Sequence, residues 1–100
     1  MNVLITSALS AQAHQLKNKL STAHIILGDY NDVPAFMLSQ GKMIKLPNPQ
    51  SSSYAHQMLT LCLDNEIDIL YVLDNKESNI LLGSEQLFIE YNIQINTNEI

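Results

Sequence analysis

Short, nearly continuous apolar runs alternate along the chain with segments of helical periodicity. The clearest runs predict buried strands at 3–6, 24–29, 67–73 and 92–95. A weaker run at 43–46 is stopped by Pro47, which cannot donate a hydrogen bond to a neighbouring strand. Apolar runs without polar alternation are typical of parallel strands that are covered on both faces. The pattern therefore predicts a parallel sheet of about five strands.

The segments between these strands repeat apolar residues at intervals of three and four, which is the spacing of one helix face. They predict helices at 9–20, 33–40, 51–64 and 79–91. One face of the first helix would carry Leu9, Ala13, Leu16 and Leu20. Asp32 and Pro34 suit the start of the second helix, and serines suit the start of the third.

Strand and helix alternate along the whole chain, which favours a parallel sheet with helices on both faces. We therefore predict an α/β fold, a three-layer doubly wound, Rossmann-like sheet with strand order 3-2-1-4-5. Residues 1–96 form the domain in this interpretation. Residues 97–100 combine cap residues with a glutamate, as the start of a helix does, so we expect a further element to follow.

Composition narrows the range of partners. The chain has 100 residues, of which 46% are hydrophobic, and its net charge is −5 with lysine as its only strongly basic residue. Nucleic acids and anionic membranes are bound by clustered positive charge, so we expect neither partner. A single cysteine cannot form an internal disulfide, and the first residues lack the basic and apolar regions of a signal peptide. We expect a cytoplasmic protein.

Ligands of doubly wound sheets bind beyond the carboxyl ends of the strands, where the strand order reverses. This edge is expected to carry the candidate binding residues Thr6, Ser7, Asp29, Asp74 and Glu77. The turn at 6–10 lacks the glycines that let backbone approach a pyrophosphate, although its hydroxyl and N–H groups remain available to an anion. Alternatively, Ser7 or Ser10 only caps the following helix.

The three acidic candidates each allow two interpretations. Asp29 stands where an acid holds a ribose hydroxyl in dinucleotide-binding folds, or it is a solvated loop residue. Asp74 and Glu77 face a cleft and accept hydrogen bonds from a substrate amine or hydroxyl, or they belong to a turn and the first turn of a helix.

Histidine and cysteine do not predict a metal site. His14, His24 and His56 lack metal-ligand spacing with one another and with Cys62. Cys62 falls on the apolar face of its predicted helix, where a cysteine is usually part of the core. The sequence therefore indicates neither a bound metal nor a catalytic residue in this chain.

Four segments carry a resemblance to a known family, and they occur in the same order. They are NVLITSA at 2–8, GDYNDVPA at 28–35, KLP at 45–47, and IDILYVLD at 67–74 followed by Glu77. Together they resemble the N-terminal, pre-ATP-grasp domain of carbamoyl-phosphate-synthase-like ATP-grasp proteins. The chain departs from that pattern at 7–11, where many relatives carry glycine and then arginine, and at 72–73, where relatives often carry proline.

The resemblance implies a domain that forms one wall of the substrate cleft in a carboxylate–amine ligase and is not catalytic alone. In such enzymes ATP phosphorylates a carboxylate, and the acyl phosphate is attacked by an amine. ATP and Mg²⁺ would be held by ATP-grasp domains outside this chain. The implied partner is a small-molecule substrate, and a surface left uncovered by missing domains makes a homo-oligomer possible.

Three other functions compete with this interpretation. The first is a stand-alone Rossmann-like module that binds a small ligand or a protein. The second, a dinucleotide-binding domain, is weakened by the missing glycine loop. The third is a phospho-receiver domain, which needs an acidic cluster after the first strand and a lysine after the last. This chain has Thr6-Ser7 and Ile95-Asn96 at those places.

Overall fold

The computed structural model describes residues 1–20, 24–39 and 43–97. The strands in these ranges are β1 (Asn2–Ile5), β2 (His24–Asp29), β3 (Met43–Lys45), β4 (Ile69–Tyr71) and β5 (Gln94–Asn96). The helices are α1 (Ala11–Lys19), α2 (Ala35–Ser39), α3 (Tyr54–Asp64), α4 (Asn75–Leu82) and α5 (Glu85–Glu90). Beyond Thr97, the element predicted to begin at 97–100 lies outside the described residues.

The strands form a parallel sheet in the order β3-β2-β1-β4-β5, which is the predicted order. β1 lies at the centre, where Ile5 is aligned with Leu27 of β2 on one side and with Tyr71 of β4 on the other. The strand order reverses between β1 and β4. The α/β, Rossmann-like fold predicted from the sequence is confirmed.

Helices cover both faces of this sheet because successive side chains of a buried strand point to opposite sides. Leu4 of β1 belongs to a core with residues of α3, α4 and α5, which include Met58, Cys62, Leu81 and Phe88. Val3 and Ile5 belong to a second core with Ala13 and Leu16 of α1. One apolar core lies on each face of the sheet, between the sheet and the helices that cover it. Helices, sheet and helices are the three layers that were predicted.

The single helix predicted at 79–91 is wrong, since two helices occupy this part of the chain. α4 begins earlier than predicted because the Asp74 carboxylate accepts the Glu77 N–H at 3.0 Å and so caps the helix. The break falls at Gly83 and Ser84, which are poor helix formers. Apolar periodicity continues across the break because both helices bury residues against the same face of the sheet.

Leu9 is not part of the buried helix face on which the sequence placed it. Its side chain is 49% exposed, and it precedes α1. The helix starts at Ala11 because the Ser10 hydroxyl oxygen accepts the Ala13 N–H at 3.2 Å, which makes Ser10 the cap. α3 likewise starts only at Tyr54, after a turn at 51–53. β2 has its predicted limits, and the other four strands differ from theirs by one or two residues.

Cys62 lies in the core, as its position on the apolar helix face predicted. Its side chain is fully buried, and burial raises the pKa of the thiol from 9.0 to about 12. The thiol is therefore protonated at neutral pH.

In the described ranges of the chain, the helices are too short or too polar to cross a lipid bilayer.

Gly28 allows β2 to approach Leu46 closely. A Cβ atom on Gly28 would lie 2.6 Å from Leu46 Cδ2 and 2.8 Å from Leu46 Cγ. Because Leu46 is itself buried, its side chain has little room to withdraw. A side chain at position 28 would therefore force Leu46 to shift within the core.

We expect Gly28→Ala to lower the free energy of unfolding by about 1–3 kcal/mol, since it overpacks the core. Gly83→Ala is the control, because a Cβ there would lie 3.4 Å from its nearest neighbour, the Ile80 oxygen, and the backbone is helical. That change should be neutral or stabilise by about 0.5 kcal/mol. Urea denaturation measures both, and equal midpoints for the two variants would contradict the steric argument.

Candidate functional site

Thr6 lies at the point where the strand order reverses, and its side chain forms a hydrogen bond with the backbone there. It is fully buried, and its Oγ1 accepts the N–H of Leu73 at 2.9 Å. Its own N–H donates to the carbonyl of Tyr71 at 3.0 Å. Thr6 therefore joins the end of β1 to the segment that follows β4 and does not present its hydroxyl to a ligand.

The loop between β1 and α1 is shaped by Ser7 and Ser10. Ser7 has a φ of 55°, in the left-handed region that non-glycine residues seldom occupy. Its carbonyl accepts the Ser10 N–H at 2.9 Å and the Ser10 hydroxyl at 2.7 Å. Because Ser10 also caps α1, this turn acts as the helix cap that one of the two interpretations predicted.

Asp29 ties the ends of β1 and β2 together from a buried position. Its Oδ2 accepts the N–H of Leu9 at 3.1 Å. Its Oδ1 accepts the backbone N–H of Asn31 at 2.9 Å and the side-chain amide of Asn31 at 3.1 Å. With 3% of its surface exposed, Asp29 is not the solvated loop acid of one alternative. Its carboxylate thus accepts a hydrogen bond from a loop N–H beside the start of α1. A Rossmann fold places phosphate at this position.

Asp74 combines a capping role with partial exposure. Its Oδ2 accepts the Glu77 N–H, and its Oδ1 accepts the Tyr30 hydroxyl at 3.3 Å. A carboxylate offers about four acceptor positions, so these two bonds leave capacity for another donor. Burial, and then the negative charge of Asp74, raise the pKa of Tyr30. Tyr30 is therefore a neutral hydroxyl that donates to Asp74 at physiological pH.

Glu77 does not face a cleft, as one of its two interpretations had it, but lies in the first turn of α4, as the other predicted. It has no exposed surface, because it shares the inward face of α4 with Leu81, one helical turn further on. Its Oε2 accepts the Tyr54 hydroxyl, while its Oε1 has no hydrogen-bond partner among the described residues. In this position Glu77 cannot contact a ligand directly.

The environment of Glu77 favours the protonated carboxyl. Its pKa rises from 4.5 to about 7, chiefly because burial removes water from the charged form. The hydrogen bond from Tyr54 lowers this pKa in part, and the charges of Asp74 and Asp29 raise it further. The phenol of Tyr54 is also buried, and burial with the charge of Glu77 raises the pKa of Tyr54.

Two tyrosines that complete this edge are not among the site residues predicted from the sequence. Tyr30 directly follows Asp29, and Tyr54 is the first residue of α3. Both therefore lie near the edge of the sheet at which the parallel strands end, which we call the carboxyl edge. That placement was available from the predicted elements. Their bonds to Asp74 and Glu77 were not, because each bond joins two separate parts of the chain.

The resulting arrangement is an acidic edge in which Asp29 and Glu77 are enclosed and Asp74 is accessible. An accessible carboxylate binds groups that donate hydrogen bonds or carry positive charge, such as an amine or a hydroxyl. Within the ranges that the structure describes, no three His, Cys, Asp or Glu side chains come together as a possible metal site.

No family model and no curated protein sequence matches the chain. Among solved structures, the chain is similar to L-threonine 3-dehydrogenase from Trypanosoma brucei, with a TM-score of 0.60 and 17% sequence identity. The match covers 95% of this chain and 35% of the dehydrogenase, so the chain spans about a third of that protein. At this identity the likeness establishes the shared Rossmann-type fold alone.

We expect Asp29→Ala to lower the free energy of unfolding by about 1–3 kcal/mol, because it removes a buried acceptor that ties N–H groups of two loops together. Asp32→Ala is the matched control: Asp32 is fully exposed and lies 3.7 Å from Lys45 in a surface ion pair. Its stability should be unchanged within the error of urea denaturation. Equal losses in the two variants would show that the Asp29 bonds are not important for stability.

Proposed function

We propose that this chain is the substrate-side domain of a carboxylate–amine ligase of the ATP-grasp type, and that it forms one wall of the substrate cleft. The fold agrees with what the resemblance at 2–8, 28–35, 45–47 and 67–77 implies. In this proposal Asp74 accepts a hydrogen bond from the amine or hydroxyl of the substrate. The nucleotide and its Mg²⁺ bind to domains outside this chain.

The accessible carboxylate of Asp74 is the observation that supports the proposal most. It follows β4 at the place where the strand order reverses, which is where doubly wound sheets bind ligands. Tyr30 and the Glu77 N–H hold it in a fixed orientation. A carboxylate that is fixed before binding loses less entropy when a substrate amine arrives.

Dinucleotide binding, which the fold alone would also allow, is opposed by the β1–α1 loop. The loop has no glycine, and the N–H of Leu9 already donates to Asp29. A phosphate at this position would displace a buried carboxylate or be repelled by it. The loop therefore does not support dinucleotide binding by this chain.

Exposed apolar side chains agree with a domain that meets a neighbour. Leu9 precedes α1, while Phe36 and Leu38 belong to α2, which follows β2. Their exposed fractions are 49%, 61% and 40%. All three follow the carboxyl ends of adjacent strands, so in the proposed enzyme they face the next domain or a second copy of the chain.

The alternative is a module that binds a partner and has no chemistry of its own. A groove of about 300 Å³ at the edge of the sheet favours this second candidate. It is lined by Glu85, Ile89, Asn92, Ile93, Gln94 and Ile95. Ile89 is 51% exposed there, so the groove offers an apolar contact. Ligase activity distinguishes the two candidates.

The chain alone should not bind Mg-ATP with micromolar affinity, because it lacks a glycine-rich phosphate loop and arginine. Isothermal titration calorimetry with Mg-ATP is the measurement. NAD⁺ serves as a second probe, and we expect no binding of it for the same reason. Micromolar binding of either nucleotide would contradict this placement of the nucleotide site.

The polypeptide that carries this domain in its source cell should release ADP from Mg-ATP only when both a carboxylate and an amine are supplied. We expect Asp74→Ala to lower kcat/KM for the amine by roughly 10- to 100-fold, since a bond to a charged group is lost, and to leave KM for ATP unchanged. Asp64→Ala, at the exposed end of α3, is the control.

Two measurements decide between the candidates. An intact mass of the native polypeptide that includes ATP-grasp domains, together with ADP release, supports the ligase. A native chain of this size without ADP release, for any pair of amino acids tested as carboxylate and amine, overturns the ligase and favours the binding module.

A further inference from the structure

The carboxyl group of Glu77 lies between two helices, and among the described residues only one of its two oxygens has a hydrogen-bond partner. It lies in the first turn of α4, and the Tyr54 hydroxyl from the first turn of α3 donates to its Oε2. α3 and α4 pack against each other, so this bond joins their N-terminal ends. Oε1 is buried without a hydrogen-bond partner in the described part of the chain.

The groups around this carboxyl carry either no charge or negative charge at neutral pH. Those that face the pair from α3, from the end of β2 and from the start of α4 are Tyr54, Cys62, Asp29, Tyr30 and Asp74. Lys76, the neighbour of Glu77 on α4, is exposed to solvent. An ionised Glu77 would thus be repelled by Asp29 and Asp74.

Ionisation would also leave the buried carboxylate with a single donor, the Tyr54 hydroxyl on Oε2, while Oε1 has none among the described residues. Burying an unpaired charge costs far more than burying a neutral carboxyl. The simplest response is local, because Glu77 lies in the first turn of α4, a short helix of eight residues. Movement of this turn would bring Glu77 to water.

We propose that the Glu77–Tyr54 pair is a proton-dependent latch that holds the first turn of α4 against α3. With Glu77 neutral, the turn is seated and Asp74 is positioned at the carboxyl edge. When Glu77 loses its proton, the turn leaves α3 and carries Asp74 away from the hydroxyl of Tyr30. The shape and charge of the carboxyl edge then change with pH.

The direction of the effect follows from the folded-state pKa. Because the pKa of Glu77 rises from 4.5 to about 7, the latch is complete below pH 4.5, weakens as the pH increases, and is lost once the pH passes 7. Proton linkage for these two pKa values gives a loss of about tenfold in the closing equilibrium between pH 6 and pH 8.

Hydrogen exchange of the α4 amides, corrected for intrinsic rates, tests the latch in the intact chain. We expect protection in α4 to fall about tenfold from pH 6 to pH 8, while protection in β1 stays constant. Glu77→Gln should make α4 protection independent of pH, whatever its effect on overall stability. Glu85→Gln, in the first turn of α5, is the matched control and should retain the wild-type profile.

Tyr54→Phe provides a second readout that a purely structural contact would not change. The tyrosine bond lowers the pKa of Glu77, so its removal should move the midpoint of the α4 transition to higher pH. Equal α4 protection at pH 6 and pH 8 in the wild type overturns the proposal. So does an equal loss in β1, or an unshifted midpoint in Tyr54→Phe.

Discussion

Parallel strands end at one edge of a sheet, and the backbone groups that become buried there need partners within the protein. Side chains supply many of these partners in this chain. Thr6 accepts the Leu73 N–H across the central strands, and Asp29 accepts N–H groups from two loops. The shape of the carboxyl edge therefore depends on side chains that accept hydrogen bonds from backbone N–H groups. Asp74, which caps α4 and remains accessible, is where this edge can still interact with another molecule.

The fold followed from the sequence because two patterns, continuous apolar runs and helical periodicity, were sufficient to define its class. Continuous apolar runs indicated buried parallel strands, and their alternation with helices favoured a doubly wound sheet, whose predicted order 3-2-1-4-5 is the observed one. The break at Gly83 was missed because Leu81 and Phe88 both contribute to the same core, so the apolar periodicity continues across it. Leu9 was misplaced because periodicity cannot decide whether Ser10 continues a helix or caps one.

The candidate site could be predicted as a location but not as a set of contacts. Chain position alone placed Asp29, Asp74 and Glu77 at the carboxyl edge, since Asp29 ends one predicted strand and the other two follow another. The inward turn of Glu77 depends on how α4 rests on α3, and its partner Tyr54 is 23 residues away. Contacts of this kind arise from tertiary packing, and a local pattern of residue types does not contain them.

The single thiol of the chain has a consequence for how its motions can be observed. Cys62 is fully buried and protonated at neutral pH, so a thiol-reactive reagent meets neither an accessible sulfur nor a thiolate while α3 remains in place. Alkylation of this chain therefore proceeds only through open conformations. The native cysteine thus acts as a built-in reporter of the opening of the core, without any introduced label.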